Sequence, residues 1–500
     1  MPAPATPAAG ALRRSFRRTL FKAAIASGLA AALLAVLARA AFYAGWLRPI
    51  RIAGGSMAET LVGDHWRIHC PRCGIWHRCD VEQLPRDHRV VCPNCGSDHD
   101  AKNVSQPVRG QRVFIDRWPA FRGNWRAQRG AVVAVRRDDA PSGFAVKRLI
   151  GFPGETIAIR DGDVWLGPDR IYRKTWNELM AVAIPVHNDR FRPAPTPHPL
   201  FASSYGTTDS RIEESASSGI ADGQAPRTAG WRPVGEDSGW ESTPHGYRWR
   251  AKAPHSNRSG RLEFHTAAGN GTIRDFDAYN QALSRRLEMV DDLILCLDAV
   301  LEDSATLELE LRPARRPGVR FEFSKSLGCQ VWSLAGSSPR LLKRIPLPVV
   351  HAAGHRRRLG VAHCDRQAIV AVHHREWTRI DLDMVENGSE TGSETSSETS
   401  SENRDGTGST LDSKTRSRRA VSGPSVAIGA AGRQVELADL WIGRDIHYLT
   451  DMDRDGPHSW RLGEDEWFVL GDNAAASTDS RAWRSNHVRS RHFVGVVHPL

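Results

Sequence analysis

The stretch Val146-Lys147-Arg148-Leu149-Ile150-Gly151-Phe152-Pro153-Gly154-Glu155-Thr156-Ile157 decides the fold. An apolar run passes through a Gly-x-Pro-Gly turn into a second apolar run, which reads as strand, turn, strand. Phe144-Ala145 precede it, so Lys147 sits inside an apolar strand and can point inward. A lysine buried among apolar groups loses the stability of its charge, and its pKa falls toward neutrality. Such an amine can serve as general base for a hydroxyl. Standing alone, Lys147 reads as a solvated strand residue.

Two other segments change that reading. Upstream lies Ile52-Ala53-Gly54-Gly55-Ser56-Met57-Ala58-Glu59-Thr60-Leu61, a serine after two glycines and before a methionine. Alone it is a serine in a tight turn. Near the carboxyl end, Trp467-Phe468-Val469-Leu470 runs into Gly471-Asp472-Asn473, then Ala474-Ala475-Ala476-Ser477-Thr478-Asp479-Ser480-Arg481-Ala482-Trp483. This is a strand entering a polar turn.

In this order the three segments resemble the bacterial type I signal peptidases (leader peptidases), membrane-bound proteases with a serine-lysine dyad. The resemblance covers about 48–68, 101–175 and 423–500. It implies a mainly β catalytic domain behind one transmembrane helix. It implies Ser56 as nucleophile and Lys147 as general base, with no cofactor for catalysis. Ser477 would orient Lys147, Asp479 and Arg481 would pair beside the site, and Arg148 would pack nearby. The Ser56 N–H, with Gly54 and Gly55 around it, would supply an oxyanion donor. The expected cut follows Ala-x-Ala, and residues near Ser56 and 144–150, Met57 and Val146 among them, would line the shallow pockets. The implied substrates are preproteins carrying signal peptides, with the bilayer as a working surface and the export translocon as a candidate partner.

Three positions depart from the family pattern. Gly54 stands where some members carry a serine whose hydroxyl completes the oxyanion hole. Glu59 stands where proline is usual, and a carboxylate there must point away or be paired, with Arg148 or another arginine. Arg484 stands where glycine is usual. Two other classes therefore stay open. One is a catalytically degenerate membrane scaffold that presents the inserted modules. The other is a soluble self-cleaving repressor-type serine-lysine protease, against which the amino-terminal apolar segment argues.

That segment runs over 23–47, interrupted by Arg39. As a helix it would reach about 37 Å, enough for a hydrocarbon core of about 30 Å. Arg13, Arg14, Arg17, Arg18 and Lys22 precede it without any acid. That places the amino end in the cytoplasm and the rest outside an inner membrane, as a single-pass protein. A cleaved signal peptide is the alternative, since Ala38-Arg39-Ala40 fits a cleavage site.

Cys70-Pro71-Arg72-Cys73 and Cys92-Pro93-Asn94-Cys95 repeat a C-x₂-C pair, each followed by glycine. This is zinc-ribbon spacing, and four thiolates make a structural site without an open position. Two disulfides are the alternative in an exported segment. Cys79, His69, His77 and His99 read as bystanders.

After Val164-Trp165-Leu166 the family pattern stops until about 424. Period-two runs follow: Arg261–Phe264, Thr306–Leu311, Val319–Phe323, Cys329–Trp332 and Ala368–Val372. They predict half-buried antiparallel strands in a jelly-roll-like β-sandwich. That module would be either a binding domain for sugar or peptide, or a scaffold. Its tryptophans 231, 240, 249, 332 and 377 read as core. The Ser-Glu-Thr repeats between Glu386 and Glu402 predict a disordered linker.

The resulting division is a basic tail 1–22, a span 23–47, catalytic parts 48–68, 101–175 and 423–500, a zinc ribbon 69–100, a sandwich 176–385 and a linker 386–422. Composition fits this. With 500 residues, 40% hydrophobic and 25% charged, the chain is globular and multidomain. The net charge of +11 gathers partly at the membrane-proximal end, so nucleic acid is not an expected partner.

Overall fold

Residues 8–43, 45–101, 106–118, 128–137, 143–193, 228–235, 238–251, 259–268, 271–346, 356–383, 425–450 and 459–499 are described in a computed structural model. The repeat segment 386–422 lies outside them.

The amino-terminal helix runs Ala8–Tyr43. Its apolar stretch Leu20–Phe42 is long enough to cross a membrane, and its hydropathic window is not buried among the described residues. The helix stops short of the expected end at 47. Gly45 takes φ +70°, its N–H donates to the Phe42 carbonyl, and the Trp46 N–H reaches back to the Ala41 carbonyl. This pair of bonds closes a helix around a left-handed glycine. Leu47 consequently opens a strand, Leu47–Arg51.

That strand is the edge of a seven-stranded antiparallel sheet. The order continues Arg112–Asp116, Phe493–Pro499, Val132–Arg136, Phe144–Gly151, Glu466–Leu470 and Val488–Arg489. The lysine strand is thus interior, flanked by Val132–Arg136 and by Glu466–Leu470 from near the carboxyl end. Beyond the Gly-x-Pro-Gly turn, Thr156–Arg160 pairs Asp163–Leu166 and Ser459–Arg461 in a small second sheet. Two short hairpins carry the cysteine pairs: His65–His69 with Trp76–Asp80, and Arg89–Val91 with Asp98–Asp100.

The residues between these parts form two larger sheets. Each alternating run expected to be a strand is one: Gly260–His265, Thr306–Leu311, Val319–Ser324, Gly328–Ser333 and Gln367–Val372. The two sheets share one core, which includes Trp231, Trp249, Phe264, Leu295, Phe321 and Leu437. Trp377 is an exception among the expected core tryptophans and is exposed.

The carboxyl boundary of this module differs from the expected 385. Val426–Ala431 and Gln434–Arg444 are interior strands of the two sheets. Gln434-Val435-Glu436-Leu437 alternates like the earlier runs, and its apolar members enter the same core. The chain returns to the first two sheets only at Ser459–Arg461, which pairs with Thr156–Arg160.

Buried ion pairs join the modules. Lys174 Nζ lies 2.6 Å from Asp445 and 3.1 Å from Asp365. Arg316 lies 2.6 Å from Asp163. Breaking such a pair by removing one partner costs about 3–5 kcal/mol, because a buried charge is left uncompensated.

Candidate active site and cysteine cluster

Ser56 lies in the turn that follows the Leu47–Arg51 strand. Close approaches explain the glycines around it. A Cβ on Gly55 would strike the Asp80 carboxylate and the Tyr279 ring. A Cβ on Gly471 would overlap both the Ser477 hydroxyl and the Ser56 carbonyl oxygen. Ser56 and Ser477 therefore meet at one glycine, where no larger residue fits. Asn473 fastens the junction. Its N–H donates to the Ser56 carbonyl at 3.1 Å, and its Nδ2 donates to the Gly55 carbonyl at 3.0 Å.

Lys147 enters from the interior strand Phe144–Gly151, opposite Val133. It is 3% exposed. Its Nζ donates to Ser477 Oγ at 3.1 Å. Burial pushes the amine down from 10.5 to about 8, with Asp479 opposing and Arg481 assisting. Among the described residues the Ser56 hydroxyl forms no hydrogen bond. The lysine is thus held by Ser477, beside the turn that carries Ser56.

Several charges around Lys147 and the serine turn are paired. Asp479 accepts from Arg481 Nε at 2.9 Å and from the Gly471 N–H at 2.9 Å. The arginine holds its carboxyl low despite burial. Arg148 forks onto Asp472 at 2.7 and 2.5 Å and donates to the Gly130 carbonyl at 2.6 Å. Glu59 pairs with Arg78 at 3.1 Å, not with Arg148. Burial, then Asp277, pushes the Glu59 carboxyl up to about 7, and Arg78 partly offsets them.

Cys70, Cys73, Cys92 and Cys95 are buried free thiols whose sulfurs converge on one point. Sγ separations are 3.7 Å for Cys70–Cys95 and 3.6 Å for Cys73–Cys92. Four sulfurs at about 2.3 Å from a tetrahedral ion stand roughly 3.8 Å apart, so the donor set fits zinc. The two knuckles are alike. Gly74 and Gly96 both take left-handed φ and donate to the Cys70 and Cys92 carbonyls at 2.9 Å. A second group, Asp292, Cys364, Asp365 and Asp445, is also close enough to hold an ion. The Lys174 ammonium already lies against Asp365 and Asp445.

Residues 22–180 match the family model described as signal peptidase, peptidase S26. The match supports a signal peptidase family, and with it a serine peptidase, for this segment. The S26 segment holds Ser56, Lys147 and all four clustered cysteines. Comparison with curated proteins gave no match. Among solved structures, a carbohydrate-binding module from Bacillus subtilis is 8% identical, with TM-score 0.25, over 43% of this chain and 95% of that one. A galectin from Caenorhabditis elegans is 9% identical, with TM-score 0.19, over 31% and 83%. A xylan β-1,4-xylosidase from Bacillus halodurans is 11% identical, with TM-score 0.23, over 63% and 53%.

Within and beyond the S26 segment, Ser56, Lys147, Arg148, Ser477, Asp479 and Arg481 come together with Gly55. Gly54 is exposed, and a Cβ there would meet nothing within 4 Å. Val146 is half-buried beside the cluster under the serine turn. Met57, expected in a substrate pocket, is instead 1% exposed and packed with Ile52, Leu61 and Val113. It anchors the turn from below, on apolar side chains of the sheet strands Arg112–Asp116 and Val132–Arg136. Sequence reasoning missed Asp472, Asn473, Asn280 and Tyr279. The first two lie in the quoted Gly-Asp-Asn turn and could have been assigned as polar partners. Asn280 and Tyr279 carry no local signal.

Proposed function

We propose that the chain is a membrane-anchored signal peptidase I, a serine endopeptidase that removes signal peptides after Ala-x-Ala. Lys147 carries this reading: a buried amine with depressed pKa, hydrogen-bonded to Ser477, beside the Ser56 turn. Neutral Lys147 takes the proton from Ser56 Oγ, which attacks the scissile carbonyl. The oxyanion is met by the Ser56 N–H, which among the described residues donates to no other group. As the C–N bond breaks, Lys147 returns the proton to the departing amine. Water then loses a proton to Lys147, attacks the acyl-enzyme and restores Ser56. Ser477 fixes the lysine rotamer, and the Asp479–Arg481 pair fixes the Gly471 turn that carries Ser477.

The Leu20–Phe42 helix anchors the protein, with the basic amino end in the cytoplasm and the catalytic sheets outside the inner membrane. Signal peptides of preproteins would reach Ser56 at the bilayer surface. Cys70, Cys73, Cys92 and Cys95 would hold a structural zinc ion, which supplies cohesion between two hairpins and no chemistry at Ser56. The two-sheet module reads as a jelly-roll-like sandwich serving as a scaffold, since it packs against the serine turn through Tyr279 and Asn280.

The test uses detergent-purified full-length protein and a peptide with Ala-x-Ala before the cut. Cleavage by the parent, lost in both Ser56→Ala and Lys147→Ala, supports the proposal. No cleavage by the parent in any lipid would return the protein to the scaffold reading.

A further inference from the structure

We infer that Asn280, contributed by the inserted module, is a positioning residue for the oxyanion donor at Ser56; this rests on the peptidase reading above. The short helical turn Ala278–Asn280 is capped by Asp277, whose carboxylate accepts from the Tyr279 N–H at 2.9 Å. It sits between the two strands Gly260–His265 and Leu293–Leu301 in the chain, far from the serine in sequence. In space it touches the serine turn directly. The Tyr279 ring is fully buried against Ala58 and Val62, and its hydroxyl donates to the Asp64 carbonyl at 3.4 Å.

Asn280 completes this contact. Its Nδ2 donates to Asn473 Oδ1 at 2.7 Å, and its Oδ1 accepts from Asn473 Nδ2 at 2.9 Å. Both side chains are buried. The second hydrogen of Asn473 Nδ2 goes to the Gly55 carbonyl at 3.0 Å. Turned the other way, the Asn473 amide would set its oxygen against the Gly55 carbonyl oxygen. Asn280 would then meet nitrogen with nitrogen and oxygen with oxygen. The Gly55 carbonyl thus selects one orientation of Asn473, and Asn280 in the matching orientation holds it there through two bonds.

That orientation matters because a peptide unit is planar and trans. Holding the Gly55 carbonyl toward Asn473 fixes the Ser56 N–H on the opposite side. This N–H is the group left to meet a developing oxyanion. A freely rotating Asn473 would let the peptide plane rock, and the donor would lose its aim in the transition state. Binding of the substrate ground state would change little.

The experiment measures kcat and KM of full-length Asn280→Ala, Asn473→Ala and the double variant on an Ala-x-Ala peptide in detergent, with thermal melting alongside. Asn280→Ala is expected to lower kcat about tenfold with KM within about twofold, as for loss of a transition-state interaction. In the Asn473→Ala background the same change is expected to add nothing, since it acts through Asn473. If Asn280→Ala does not fold, Asn280→Ser is read by the same split. Unchanged kcat, a rise in KM alone, or full additivity with Asn473→Ala would overturn the inference. An inactive parent would instead overturn the peptidase reading itself.

Discussion

Lys147 Nζ donates to Ser477 Oγ across 3.1 Å, although 330 positions separate the two residues. The bond removes the freedom of a four-carbon side chain at the point where a proton must be accepted. Ser477→Ala keeps the burial of Lys147 but releases its rotamer. The expected result is a fall in kcat of up to about 100-fold, the cost of misplacing a catalytic group by about 1 Å, with KM near the parent value. Steady-state kinetics on the peptide substrate checks this, and an unchanged kcat would remove Ser477 from the mechanism.

The lowered pKa of Lys147 sets the pH profile. Below about 8 the amine is protonated and cannot take the serine proton. The acid limb of kcat/KM is expected near pH 8, falling about tenfold per unit well below it. Stability has its own dependence. Between about 8 and the ordinary 10.5, the unfolded chain binds a proton that the folded chain does not, so stability rises with pH across that window. Lys147→Met should therefore melt above the parent at pH 7, and the gap should narrow by pH 10. An acid limb near 10 would contradict the buried-amine account.

Gly54 offers a gain-of-function test. Its Cβ position is open, and it is not among the glycines with left-handed φ. Gly54→Ser should fold normally, leaving melting unchanged. A hydroxyl there can add a second oxyanion donor, so kcat should rise by about tenfold or less, since one such donor is worth up to roughly 10²–10³ in other sites. A lower melting temperature with unchanged kcat would place Gly54 outside the site.

Metal analysis tests the cysteine cluster. The parent should carry about one zinc per chain, and Cys70→Ser with Cys73→Ser should carry none and melt lower. The Asn94 knuckle also ties the ribbon to the module at Phe191 and His187, so proteolysis near 187–191 should quicken when the metal is lost. Stoichiometric disulfides in the parent would replace the zinc reading.

The legible part of this protein was its chemistry-bearing turns and its alternating strands. Lys147 and Ser56 each read alone as an ordinary strand or turn residue, and only the serine, lysine and Gly-Asp-Asn segments together, in that order, single them out. The CxxC pairs carry their geometry in their spacing. The lost part was long-range. Asn280 ends the short helical turn Ala278–Asn280 of the inserted module, 193 positions upstream of Asn473, and only folding brings the two together. The resemblance runs from 423, yet Val426–Ala431 and Gln434–Arg444 belong to the inserted module's sheets, since a strand's sequence gives its faces and not its sheet. Helix length was overestimated at Leu47, since Gly45 ends the helix within an unbroken apolar run.

The central claim is that Ser56 forms an acyl bond with the help of Lys147. Acid-quenched reaction with an Ala-x-Ala substrate ester, followed by mass spectrometry of the digested protein, measures it directly. The account predicts an acyl adduct on the peptide containing Ser56 in the parent, and none in Lys147→Ala. An adduct on any other residue, or undiminished acylation in Lys147→Ala, would contradict it.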